Sequence, residues 1–147
     1  MRAPILIFTW GNPSRGDDAL GPLFAERVLS LNYPGVECLT DFQLQVEHAL
    51  DLRGRKRVLF VDASFAAPPP FSVSPIFPHQ DASFTTHAMT PQAILHTYRQ
   101  LEQQAPPPAW LLAIRGEGFE LGGSLSPVAE QNLAAALMWV EGWLKIS

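Results

Sequence analysis

Two kinds of apolar pattern alternate along the chain. Short continuous runs read as buried strands: residues 4–10, ending at Gly11; Val36 to Thr40; Arg57 to Val61, ending at Asp62; and Trp110 to Ile114. Phe71 to Phe77 alternates weakly and holds Pro75, which suits an edge strand. Between these runs apolar residues recur at steps of three and four. Leu20, Leu23, Phe24, Val28 and Leu31 share one face of a helix over 18–31. Pro22 fits only in the first turn, so that helix starts near Asp18 and is stopped by Asn32-Tyr33-Pro34-Gly35. Asp41-Phe42-Gln43 reads as a turn and Val46 to Leu52 as a short helix. Thr90-Pro91 and Ser126-Pro127 each combine a capping hydroxyl with a proline at the first helical position. The first opens a helix burying Ile94, Leu95, Tyr98 and Leu101, the second a helix burying Leu133, Leu137, Val140 and Leu144.

Strands alternating with helices predict an α/β fold, a three-layer α/β/α sandwich around a mostly parallel five-stranded sheet. The length of 147 residues suits one domain over 1–147, with no internal repeat. In such sheets ligands bind at the carboxyl ends of the strands, where the strand order reverses.

Composition narrows the function. A net charge of −4 argues against nucleic-acid binding, and Arg53-Gly54-Arg55-Lys56-Arg57 reads as a solvated lead-in to the third strand. The single cysteine, Cys38, excludes an intrachain disulfide and a cysteine-rich metal cluster. No signal-peptide pattern and no membrane-length apolar run is present, so the expectation is a cytoplasmic protein that does not enter a membrane.

Candidate chemistry centres on Asp17-Asp18, just after the first strand. If strands one and three are neighbours, Asp18 and Asp62 meet at the switch point, and His87, in the polar loop before Thr90, could reach the same edge. Two carboxylates and an imidazole are a plausible set for a first-row transition metal, which could polarise a carbonyl and activate water. Taken singly, each residue has a plainer reading: Asp18 as a helix cap, Asp62 as a turn former, His87 as a solvated loop residue. His96 reads as surface and His48 as ambiguous, His79 carries no assignment, and Cys38 reads as a small core residue. There is no Gly-x-Ser-x-Gly elbow, and Gly11-Asn12-Pro13-Ser14-Arg15-Gly16 is neither a Walker loop nor a dinucleotide fingerprint.

Gly11-Asn12 followed by Asp17-Asp18-Ala19-Leu20-Gly21 resembles the opening motif of the hydrogenase maturation endopeptidases. Val61-Asp62-Ala63 resembles the second motif of that family, His87-Ala88-Met89 its histidine motif, and Leu125-Ser126-Pro127-Val128 its C-terminal signature. The match runs in order along nearly the whole chain. The resemblance implies five mostly parallel strands between helices, and cleavage of one peptide bond. That cleavage removes a short C-terminal extension from the precursor of a nickel–iron hydrogenase large subunit, which is the implied partner. It implies Asp18, Asp62 and His87 as the catalytic and metal-contacting residues. The nickel is supplied by the substrate, with no permanent cofactor.

Three positions depart from the commoner family pattern. Asp18 stands where many members have glutamate, Ala19 where glycine is usual, and Arg115 where an uncharged residue is commoner. The segment from Asp41 to Glu47 replaces a glycine-rich turn and resembles the subgroup serving NAD-coupled cytoplasmic hydrogenases. On that likeness Gln43 and Glu47 line the cleft for the substrate tail; Arg115 binds a carboxylate of the extension or pairs with Glu117. Asn12 and Asp17 are expected to brace the turn, Asp17 through backbone N–H groups, leaving Asp18 for the metal. A monomer is expected. Two other readings stay open: a non-catalytic nickel-site-sensing chaperone for the same precursor, and a small-molecule hydrolase, which a deep enclosed pocket near Asp18 would favour.

Overall fold

The computed structural model describes residues 2–80 and 89–146. Five strands, β1 (Ile5–Trp10), β2 (Val36–Asp41), β3 (Arg57–Ser64), β4 (Phe71–Ile76) and β5 (Ala109–Arg115), form one sheet in the order β2-β1-β3-β5-β4. All pairs are parallel except β4 with β5. The antiparallel β4 is an edge strand, where Pro75 removes no ladder bond that a central strand would need.

The pleat sends alternate side chains to opposite faces, and each face has its own core. Ile7, Leu59, Val61, Leu112 and Ile114 pack under α1 (Leu20–Leu29) and α3 (Pro127–Leu144). Leu6, Phe8, Val58, Phe60 and Ala109 pack under α2 (Pro91–Glu102) and a short 3-10 helix, Val46–Leu52. Three layers result, as the alternation predicts. The hydroxyls of Thr90 and Ser126 accept from the backbone N–H of Ala93 and Ala129 (3.1 Å each), so both predicted caps form. Among the described residues no helix is long and apolar enough to cross a membrane.

Four details differ from the sequence expectation. β3 continues through Asp62 to Ser64, because β5 beside it supplies ladder partners for Asp62, Ala63 and Ser64. A 3-10 turn, Gly16–Ala19, precedes α1, so Asp17 and Asp18 lie ahead of that helix rather than in its first turn, and Pro22 is its third residue. Leu31 falls beyond α1, and Leu101 is 55% exposed because it turns off the buried face at the end of α2. The basic run is not solvated as a whole. Arg55 is buried against Glu37 and the carbonyls of Ala3 and Asp51, while Arg57 grips the carbonyls of Trp143 and Ile146 (2.7 Å each). Its guanidinium lies 4.4 Å from the Trp143 ring centre. These arginines fasten the amino edge of the sheet to its surroundings.

Candidate functional site

β1 lies between β2 and β3, and its neighbours connect in opposite directions from it, so the carboxyl ends of β1 and β3 flank the switch point. The turn after β1 is built on close backbone contacts. Gly11 adopts φ +146°, and a Cβ there would lie 2.1 Å from the Asp18 carbonyl oxygen. At Gly21 a Cβ would lie 2.5 Å from the Trp10 carbonyl oxygen. The glycines bracketing the turn are therefore required for α1 and the chain at Asp18 to press against the end of β1.

The two adjacent aspartates separate completely. Asp17 is fully buried, and its carboxylate accepts from the N–H groups of Glu117 (2.7 Å), Gly118 (3.1 Å) and Ser126 (2.8 Å) and from the Ser126 hydroxyl (2.7 Å). Burial pushes its pKa up, but these four bonds outweigh it and hold the carboxyl below the usual range. Its partners lie on the segment after β5, a hundred residues away in sequence, rather than in its own turn. Backbone bonds from Asp17 to Gly118 (2.7 Å), Gly16 to Gly123 (3.2 Å) and Gly122 to Ser14 (2.6 Å) join the same two segments.

Asp18 is half-buried and its Oδ2 accepts from the Asn12 N–H (2.7 Å), while the Asn12 side chain accepts from the Ser14 N–H (2.9 Å). Asp62 continues the face of Phe60 at the neighbouring strand end. Its carboxyl is raised to about 7, first by burial and then by the negative charge of Asp18, against a weaker opposing bond from the Ala63 N–H. The structure thus brings Asp18 and Asp62 together at the switch point, close enough that the Asp18 charge opposes ionisation of Asp62. His87 lies outside the described residues. The described chain resumes at Met89, whose N–H donates to Leu44 O (3.1 Å), just beyond β2 at this same edge. Among the described residues no three His, Cys, Asp or Glu side chains gather as a metal-binding group.

Gln43 and Glu47 are exposed beyond β2. Arg115 donates to Ala67 O (3.0 Å) and lies 3.5 Å from Glu117. One pairing was not read from the sequence. His48 Nδ1 accepts from the Gln45 N–H (2.8 Å), its ring packs 4.5 Å from Phe8, and Nε2 meets Asp41 Oδ2 at 3.2 Å. The available signal was Asp41's position, which matches that of Asp62: an aspartate at the carboxyl edge of a strand flanking β1.

A pair of crowded carboxylates, one of them protonated near neutrality, is suited to exchanging protons or to accepting a cation that removes their repulsion. No protein-family model matches the chain, and no curated protein sequence matches it. Solved structures do share its fold. The NiFe hydrogenase maturation protease HycI from Thermococcus kodakarensis superposes with a TM-score of 0.75 at 20% identity, over 99% of this chain and 94% of that one. The hydrogenase maturating endopeptidase HybD from E. coli gives 0.74 at 23% identity, covering 99% and 93%. A hydrogenase 2 maturation peptidase from a Thaumarchaeota archaeon gives 0.69 at 21% identity, covering the whole of both chains.

Proposed function

We propose that the chain is an endopeptidase that removes a short C-terminal extension from the precursor of a nickel–iron hydrogenase large subunit. The observation that carries this reading is the convergence of Asp18 and Asp62 at the switch point, with Asp62 held near neutrality. The end-to-end likeness of fold to maturation peptidases supports it. The nickel is part of the substrate and acts as its recognition signal; Asp18, Asp62 and His87 are its contacts. A cation between the carboxylates relieves their repulsion and displaces the Asp62 proton, so docking of the loaded precursor is coupled to proton release. The metal polarises the scissile carbonyl, a carboxylate of the pair takes the proton of the attacking water, and the proton passes to the departing amine as the C–N bond breaks. The protein acts in the cytoplasm as a monomer.

Beside this turn the described residues form an open groove of about 250 Å³, a shape suited to an extended polypeptide. Incubation with nickel-loaded precursor, followed by intact-mass measurement, tests the proposal. Loss of one C-terminal peptide, dependent on nickel, is the expected result. An unchanged mass with a stable complex would replace it by the chaperone reading.

A further inference from the structure

Between the turns that follow β1 and β2 lies the groove of about 250 Å³ lined by Gly11, Pro13, Pro22, Thr40, Asp41 and Phe42. It adjoins the candidate site, because Gly11 packs on Asp18 and its N–H donates to Asp41 O (3.1 Å). Its walls are apolar: two prolines, and Phe42 at 67% exposure. The Thr40 hydroxyl is paired with that of Thr9 (2.9 Å). The one charge among the lining residues is Asp41.

That charge is held but not neutralised. Oδ1 accepts from the Phe42 N–H (2.7 Å) and Oδ2 faces His48 Nε2. A backbone N–H can only donate, so the Gln45 bond makes His48 Nδ1 an acceptor and puts the ring proton on Nε2, which gives it to Asp41. His48 therefore orients the carboxylate as a neutral donor. No lysine or arginine pairs with Asp41 among the described residues. A fixed carboxylate with no lysine or arginine partner among the described residues, in an open, otherwise apolar groove, matches a long cationic side chain, with its stem on Pro13, Pro22 and Phe42 and its head on Asp41.

We infer that the groove is a specificity subsite that seats an arginine or lysine of the polypeptide being processed, and that His48 is the positioning residue that aims Asp41 at it. The inference rests on the peptidase reading for its role, but the subsite is measurable without catalysis. The test titrates N-acetyl-arginine amide and its neutral isostere N-acetyl-citrulline amide into the whole protein, following backbone amide resonances. Saturable shifts at Gly11 and Phe42 are expected, with arginine binding about tenfold tighter than citrulline. Asp41→Asn should erase that preference. His48→Phe keeps a ring against Phe8 and should weaken arginine severalfold, with amide dispersion elsewhere unchanged. Equal binding of the two ligands, or shifts confined to other regions, overturns the subsite. Arginine preference that survives His48→Phe intact overturns the positioning role. In the processing assay both variants should lose more in KM than in kcat. If wild type binds arginine at the groove but cleaves no precursor, the subsite stands and the peptidase reading falls. If wild type cleaves and Asp41→Asn cleaves with unchanged KM, the subsite falls alone.

Discussion

Asp17 and Asp18 are neighbours in sequence with opposite environments, and each environment makes its own prediction. Asp17 is a buried anion whose stability comes from four donors. Its carboxyl is depressed in the folded state, so its contribution is present above the unfolded value of about 4 and is lost as pH falls through the lower folded value. Asp17→Asn should cost about 3 kcal/mol at pH 7, because a buried N–H would then face donors, and should flatten the acid limb of a urea-midpoint profile. An unchanged midpoint would show that the loop after β5 holds itself. Asp62 behaves in reverse. Its carboxyl is raised to about 7, so the folded state binds the extra proton and stability falls as pH rises from about 4 to about 7. Asp62→Asn should therefore stop processing while stabilising the fold at pH 8 by roughly 2–4 kcal/mol, with almost no gain at pH 4. A thermal melt of the variant at the two pH values decides it; equal gain at both would mean that burial rather than charge is relieved.

At the scale of elements, the motif glycines are steric requirements. Gly21 has no unusual dihedral, yet a Cβ there would meet the Trp10 carbonyl, so Gly21→Ala must lift α1 off the end of β1. Gly54 has φ +76° but open space around it, so Gly54→Ala carries only the left-handed backbone cost. The two substitutions should separate clearly, about 3 kcal/mol or more against about 1 kcal/mol, in denaturant midpoints. Comparable losses would mean that the turn after β1 has slack. The elements themselves were legible because periodicity, caps and prolines act locally: Thr90 and Ser126 cap as read, and Pro75 marks an edge. What escaped the sequence was set by partners distant along the chain. β3 runs past Asp62 because β5 lies beside it, Asp17 serves amides after β5, and Arg55 and Arg57 are clamps because carbonyls from other elements meet them. Hydropathy registers none of these contacts. Asp18 and Asp62 were legible as a pair only through topology, since parallel β1 and β3 deliver both to one edge.

For the whole molecule, the question is whether this edge cleaves or only binds. The machinery is divided between layers: the segment locked by Asp17 packs toward α1 and α3, whereas Asp62, His48 and Asp41 belong to the face covered by α2 and the Val46–Leu52 helix. The hydrogen bonds differ even so: Asp41 is held by the Phe42 N–H and His48, and Asp18 by the Asn12 N–H, so a variant can remove recognition through the groove while leaving the carboxylate pair. Asp62→Asn preserves shape and removes only the ionisable oxygen, so it should still capture nickel-loaded precursor in size-exclusion chromatography while leaving its mass intact. Under the peptidase reading the wild-type complex is transient, because the released product no longer carries the extension, and the variant complex should outlast it at least about tenfold. Under the chaperone reading both complexes persist alike and neither loses a peptide. The ratio of the two lifetimes, measured alongside the mass of the bound precursor, separates an enzyme from a binding module on one fold.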